Sequence, residues 1–132
     1  MLEKIFLHPN EGFSQGVLVE STNAKTLYIS GQISEEIDLQ LQTAAVFKKI
    51  EKILQECGAT FSDVVKMNTY IVNFNPDTDL PIFRKVRKEF LGASNYPAST
   101  LIGVSVLILL AGITFDSVYI LRAKRTKAII TY

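Results

Sequence analysis

The stretch that decides the fold of this chain is residues 38–58, DLQLQTAAVFKKIEKILQECG, followed by residues 65–73, VKMNTYIVN. In the first segment, Asp38 is a favoured helix N-cap, and Gly58 is a residue type that commonly ends helices. Apolar residues recur between them at helical spacing, namely Val46, Ile50, Ile53, Leu54 and Cys57. In the second segment, the side chains at positions 65, 67, 69 and 71 alternate with those at positions 66, 68, 70 and 72, a pattern that is typical of a strand. The two segments therefore predict an α-helix that leads into a β-strand.

Short strands are predicted before this helix, at residues 3–8, 16–21 and 25–30. The last two are joined by Ser21-Thr22-Asn23-Ala24, which is rich in turn-forming residues. Two further strands are predicted near the C-terminus, at residues 100–107 and 113–123, with a bend near residues 111–112.

A second helix is predicted between the strand at 65–73 and these last strands. The composition of residues 73–77, NFNPD, indicates a loop, and Asp79 can cap the helix with Pro81 in its first turn. Gly92 ends the helix. Its predicted buried stripe consists of Ile82, Phe83, Val86 and Phe90.

This order of elements predicts the fold class. Strands, helix, strand, helix and strands imply a layered α/β (α+β) arrangement, a mixed β-sheet with two helices packed on one face. A length of 132 residues suits a single domain spanning residues 1–132 with a core of its own.

Composition excludes several classes of function. The net charge of +1 offers no electrostatic case for binding nucleic acid, and the basic cluster at residues 124–127 is interpreted as a solvated tail. The lone Cys57 excludes an internal disulfide, and its place on an apolar helix face indicates a core residue. The N-terminus lacks the layout of a signal peptide, so a cytoplasmic location is expected. With His8 as the single histidine, neither a metal site nor a cofactor is expected.

The uncharged run at residues 101–115 requires a check for a membrane span. A spanning helix needs about 20 residues, and this run is shorter and contains Gly103, Ser105 and Gly112. Runs of Val, Ile and Leu also occur in strands that are buried on both faces. A buried strand is the favoured interpretation, and no membrane contact is expected.

Two motifs carry a resemblance to a known family: Tyr96-Pro97-Ala98-Ser99-Thr100 and Ser30-Gly31-Gln32. Three further pieces of the resemblance are Gly12-Phe13-Ser14-Gln15-Gly16, Cys57-Gly58-Ala59 and Asp63-Val64-Val65-Lys66. The whole set, taken in its order along the chain, makes the chain resemble the RidA family, also called YjgF. Members of that family hydrolyse reactive enamines and imines. The resemblance implies a chorismate-mutase-like fold and a homotrimer. Each of its intersubunit clefts would hold a small carbonyl, carboxylate or imine metabolite.

The main departure from the family pattern is Ser99, which stands where the family motif usually has arginine. In family deaminases that arginine grips the carboxylate of a 2-imino acid, because a guanidinium group matches a carboxylate bidentately. Loss of a charged hydrogen bond removes about 1.5–3 kcal/mol of binding free energy. An unpaired, desolvated carboxylate costs about 3–5 kcal/mol. Weak activity on amino-acid-derived imines is therefore expected.

Three other positions depart from the family. Phe13 replaces a common tyrosine, Arg84 replaces a common asparagine, and Asp116 replaces a glutamate that positions the attacking water. The resemblance implies that Asp116 is the catalytic base, and the alternative is a charge on the solvent side of a strand. Arg84 either supplies the missing cation or is a solvated charge, and Arg122 is a weaker candidate for the same role.

The remaining candidate ligand-binding residues are Ser30, Gly31, Thr100 and Leu101. Gly31 allows close approach to the backbone, although it can also be an ordinary turn glycine. The backbone N–H groups of Gly31 and Leu101 can hold a carbonyl or carboxylate oxygen. Two functions stay open: a RidA-like hydrolase of enamines or imines, and a non-catalytic metabolite-binding or regulatory trimer.

Overall fold

The computed structural model describes residues 2–105 with their side chains and residues 113–122 as a backbone strand. The elements in chain order are β1 (Glu3–Pro9), β2 (Ser14–Glu20), β3 (Ala24–Ile33), α1 (Leu39–Glu56), a 3₁₀ turn (Phe61–Asp63), β4 (Val64–Val72), α2 (Pro76–Leu91), β5 (Ala98–Val104) and β6 (Ile113–Arg122). The predicted bend near residues 111–112, the end of the predicted strand at 100–107 and the cluster at 124–127 lie outside the described residues.

The six strands form one sheet in the order β1-β2-β3-β6-β4-β5. Among the described strands, β4 and β5 form the one parallel pair, and α2 is the crossover that joins them. Helix α1 packs on β3 and β6 and against α2. This arrangement confirms the predicted mixed sheet with two packed helices.

The core lies between the helices and the sheet. Phe47 of α1 stacks on Phe90 of α2 with ring centroids 5.1 Å apart, and Phe61 meets both rings edge-on. Aromatic pairs of this kind each contribute about 0.5–1.5 kcal/mol beyond the burial of their area. Further buried residues are Leu27, Ile29, Ile50, Leu54, Met67, Ile71, Phe83 and Val86. The apolar periodicity of both helices therefore marks their buried faces.

The start of α2 corrects two predictions. Its N-cap is Asn75, whose side chain accepts a hydrogen bond from the backbone N–H of Asp77, and Pro76 occupies the first turn. Asp79 instead accepts from the backbone N–H of Asn75, at 2.8 Å. Pro81 therefore lies inside the helix and not in its first turn. Asn75 caps the helix four residues earlier because Pro76 is pre-set for the first helical position.

Three predicted core residues are less buried than expected. Phe90 of α2 is half-buried and packs against the core. Ile82 is 37% exposed, because it falls at the margin of the stripe formed by Phe83, Val86 and Phe90. Cys57 is half-buried at the C-cap of α1 and packs against the core. Burial, followed by the nearby charge of Glu56, raises the pKa of the Cys57 thiol. The thiol thus stays protonated at neutral pH, as expected for a structural cysteine.

The N-cap of α1 matches the prediction, since Asp38 Oδ1 accepts from the backbone N–H of Leu41 at 2.8 Å. Replacing Asp38 with alanine is expected to lower the free energy of unfolding by about 1 kcal/mol, because one helix N–H loses its acceptor. Asp38→Asn keeps an acceptor and should be nearly neutral. Urea unfolding of both variants, with Gln40→Ala as an exposed control on the same helix, measures the effect. Equal stability of Asp38→Ala and the unmodified protein would contradict the capping role.

Within the described residues, the structure has no helix that is both long enough and apolar enough to cross a membrane. The described part of the uncharged run consists of residues 101–104 of β5, Ser105 and the first three residues of β6. The prediction of strand is therefore correct for residues 101–104 and 113–115. The predicted burial is wrong for β5 in a single chain, because Ile102 is 42% exposed and Leu101 and Val104 are only half-buried at this edge of the sheet.

Candidate functional site

Ser99, Thr100 and Leu101 lie on β5, which ends the strand order of the sheet. In the parallel pairing with β4, they stand across from Met67, Asn68 and Thr69 in that order. The side chains of Ser99 and Thr100 are exposed, whereas Leu101 is half-buried and packs against the core. The position where the family resemblance places arginine is therefore open to solvent at an edge of the sheet.

Lys66 on β4 reaches this segment. Its Nζ donates a hydrogen bond to Thr100 Oγ1 at 3.0 Å. The contact brings an ammonium group to the residue next to Ser99. Sequence reasoning did not single out Lys66, because it appeared only as one of the alternating positions of a strand. The signal that could have identified Lys66 is the presence of a lysine in a strand whose other residues are largely buried.

Asp116 lies on β6, and its backbone stands directly across from Asn68. Asn68 in turn stands across from Thr100, so these three residues form one row across β5, β4 and β6. Neighbouring strands are about 4.8 Å apart, which puts the backbones of Thr100 and Asp116 roughly 10 Å from each other. Asn68 is 8% exposed, so this row passes through a buried amide. The side chain of Asp116 lies outside the described part of the chain.

Ser30 and Gly31 lie near the end of β3, at an irregularity in its pairing with β6 between Ile29 and Gln32. Ser30 Oγ donates to the backbone carbonyl of Ser14 at 2.5 Å, which ties β3 to the start of β2. Gly31 is exposed at this irregularity.

Gln32 braces the same end of the sheet. It is 5% exposed, and its Nε2 donates to Gln15 Oε1 at 2.9 Å and to the Ser30 carbonyl at 3.0 Å. Phe13, just before β2, has 52% of its surface exposed. These contacts hold the polar end of β3 next to an exposed aromatic ring.

The structure separates the predicted site residues of one chain into two groups. Ser30 and Gly31 are on β3, whereas Ser99 and Thr100 are on β5, and both β6 and β4 lie between them. Three strand spacings correspond to about 14 Å. One subunit therefore does not bring the two groups into contact.

Arg84 belongs to a third location, on the exposed side of α2. Together with Arg87, Lys88 and Tyr96 it lines a cavity of about 250 Å³. The Arg87 guanidinium lies 5.0 Å from the centroid of the Tyr96 ring, and burial lowers the pKa of Arg87. Sequence reasoning missed Arg87, although its spacing from Arg84 and Lys88 was a usable signal. The structure gives no hydrogen bond or ion pair between Arg84 and the described residues of β5.

Arg122 occupies the last position of β6, where it pairs with Ala24 of β3. It is six residues from Asp116, a distance of about 20 Å along an extended strand. Its side chain is also outside the described part.

A comparison with protein families decides the identity of the fold. The model of the Endoribonuclease L-PSP family matches residues 6–114 of this chain. The chain belongs to this family, which includes the YjgF and RidA proteins. The match covers the two groups of site residues at Ser30 and Ser99, so the predicted family resemblance is confirmed.

Individual family members support the same assignment. A protein of Dermatophagoides farinae named 2-iminobutanoate/2-iminopropanoate deaminase is 32% identical over 117 residues, covering 83% of this chain and 85% of that protein. A Yersinia pestis structure from the conserved Rid protein family is 30% identical with a TM-score of 0.66, covering 91% of this chain and 98% of that one. A YjgF family member from Neisseria meningitidis is 18% identical with a TM-score of 0.76, covering 91% and 96%, and shows the shared fold alone.

Proposed function

We propose that this chain is a RidA-like protein that binds a small carbonyl, carboxylate or imine metabolite and hydrolyses 2-imino acids weakly. The observation that carries the proposal is the exposed Ser99 at the β5 edge, at the position of the family's carboxylate-binding arginine. Among the described side chains, Lys66 is the cation that hydrogen-bonds to this segment. A single ammonium group lacks the bidentate geometry of a guanidinium group. Carboxylate binding is thus weakened but not abolished.

The complete site in this proposal lies between subunits of a homotrimer. Phe13, Ser30 and Gly31 of one subunit would face Ser99, Thr100 and Leu101 of the next, because one chain keeps these groups three strands apart. Exposed apolar side chains support the assembly. Ile102 on the β5 edge is 42% exposed, and Phe6 on the opposite edge strand is 58% exposed. Apolar surface of this kind at strand edges commonly marks an interface.

Sedimentation at micromolar concentration is expected to give three times the mass of one chain. Ile102→Lys should shift the protein towards the monomer, because the substitution places a charge in the proposed interface. Ile82→Lys, at an exposed apolar position on α2, is the matched control and should leave the trimer intact. A stable monomer of the unmodified protein would remove the trimer and the intersubunit cleft together.

The chemistry proposed for this cleft is addition of water to a C=N bond. Asp116 takes a proton from the attacking water, whose oxygen bonds to the imine carbon, and passes this proton to the imine nitrogen, which gives a carbinolamine. The hydroxyl proton of that intermediate then moves to the nitrogen by way of Asp116, the C–N bond breaks, and a ketone and ammonia are released. Thr100 and the backbone N–H groups of Gly31 and Leu101 orient the carboxylate or carbonyl oxygen. A positioned general base typically contributes about 10²–10⁴-fold to such a step.

A second function is a non-catalytic metabolite-binding or regulatory trimer. The exposed Ser99 favours it, because a serine supplies no charge for the substrate carboxylate that the arginine of family deaminases binds. The two functions differ in one measurable respect: only the enzyme releases ammonia from an imine generated in situ. Detection of ligand binding without ammonia release would support the second function.

A further inference from the structure

Helix α2 carries three cations on one face without a counter-ion. Arg87 and Lys88 lie three and four residues after Arg84, so each of them is a neighbour of Arg84 on the helix surface. Across residues 2–105, the ion pairs involve His8 with Glu56 and Lys25 with Glu20, and none involves these three cations. Like charges at this spacing destabilise a helix. A bound anion would remove that repulsion.

Arg87 is held rigidly within this cluster. Its guanidinium stacks over the Tyr96 ring, and the Tyr96 hydroxyl donates to the Gly92 carbonyl at 2.7 Å. The side chain is half-buried, and its Nε has no hydrogen-bond partner among the described residues. A buried donor without an acceptor is unfavourable. Because no described residue supplies an acceptor, the orphaned Nε points to a bound ligand as its partner.

Among the described residues, the cavity beside this cluster is lined by Arg84, Arg87, Lys88 and Tyr96, and its volume is about 250 Å³. We propose that it binds a phosphate group, either as inorganic phosphate or as a phosphomonoester on a small molecule. A guanidinium fork binds phosphate oxygens in pairs, and Tyr96 holds that fork in place before the ligand arrives. Three cations suit a phosphate, which carries about −1.5 to −2 charges at neutral pH, better than a carboxylate with one.

Within one subunit, this site is separate from the residues that the proposal assigns to the cleft. Its lining contains no residue of β5, and the row of Thr100, Asn68 and Asp116 lies on the sheet. The proposal therefore assigns Arg84 to phosphate binding on α2. It does not require that the cleft hydrolyses imines.

The Nε–Hε resonance of Arg87 provides a direct test in the full-length protein. Titration with inorganic phosphate at constant ionic strength is expected to shift this resonance saturably, because Nε gains an acceptor. The double variant Arg84→Gln, Lys88→Gln keeps Arg87 on Tyr96 and should weaken the affinity roughly tenfold or more, through loss of two charged contacts. The control Lys52→Gln, Lys85→Gln removes the same charge outside the cavity and should leave the affinity nearly unchanged. Thermal unfolding checks that both variants are folded.

Three results would overturn the proposal: a shift that does not saturate, an equal shift with chloride, or equal weakening by the control variant. Glycerol 3-phosphate and acetate separate the possible ligands. Tighter binding of glycerol 3-phosphate than of phosphate would identify a phosphorylated small molecule, and equal binding would identify the phosphate ion. Acetate binding as tightly as phosphate would overturn the preference for a dianion.

Discussion

Replacing Asp116 with asparagine is expected to lower the rate of imine hydrolysis by about 100-fold or more, the usual contribution of a positioned general base. Asparagine keeps the size and hydrogen-bonding capacity of the side chain but cannot accept the proton of water. The register of β6 places the backbone of this residue in one row with Asn68 and Thr100, roughly 10 Å from Thr100 on β5. Turnover of an imine generated in situ, followed by ammonia release, measures the effect.

The matched variant is Asp116→Glu, which restores the side chain that the family resemblance implies at this position. It should retain most of the activity, because the carboxylate is kept and only one methylene is added. Thermal unfolding and sedimentation on the same samples would show that the fold and the assembly survive. Unchanged turnover in a stable Asp116→Asn protein would reduce Asp116 to a surface charge. The non-catalytic function would then be the stronger one.

Replacing Ser99 with arginine is expected to tighten the binding of small 2-oxo and 2-imino acids by about 10- to 100-fold. This range corresponds to the 1.5–3 kcal/mol of a charged hydrogen bond. Ser99 is exposed at the β5 edge, so the longer side chain has room to extend from the sheet. Calorimetry with 2-oxobutanoate, the stable product of 2-iminobutanoate hydrolysis, measures the affinity directly. Ser99→Lys is the control for geometry, because it adds the charge without the bidentate fork and should gain less.

Strong activity of the unmodified protein on 2-iminobutanoate would contradict this prediction and show that another cation binds the carboxylate. Two variants would then identify it. Loss of activity in Lys66→Gln would assign the role to the lysine that contacts Thr100. Loss in Arg84→Ala would assign it to α2 and argue against the separate phosphate site.

Much of the fold was predictable because its signals are local. Asp38 and Gly58 delimit α1 through hydrogen bonding and backbone conformation within a few residues, and Gly58 has the positive φ that its residue type suggests. The start of α2 was mispredicted for a related reason. Asn75 and Asp79 are both residue types that cap helices well. The sequence alone does not show which of them takes the N-cap position and accepts a hydrogen bond from the backbone of the first turn.

The candidate site was less predictable, because its contacts join residues that are distant along the chain. The motif around Ser99 could be found from its resemblance to the family. The contact between Lys66 and Thr100 spans 34 positions and needs the parallel register that α2 creates between β4 and β5. The stacking of Arg87 on Tyr96 similarly needs the turn after Gly92 to return the chain along the helix.

By itself, the sequence determined which segments become helix or strand, which helix faces are buried and which family the chain resembles. Caps, periodicity and short motifs are properties of neighbouring residues, so no tertiary information is needed to identify them. Only the tertiary structure decided that β6 inserts between β3 and β4, and hence that Ser30 and Ser99 lie three strands apart. The order of the strands depends on pairing between segments that are distant along the chain. Backbone hydrogen bonds between strands carry little sequence preference, so it is the burial of the whole sheet that selects which strands pair.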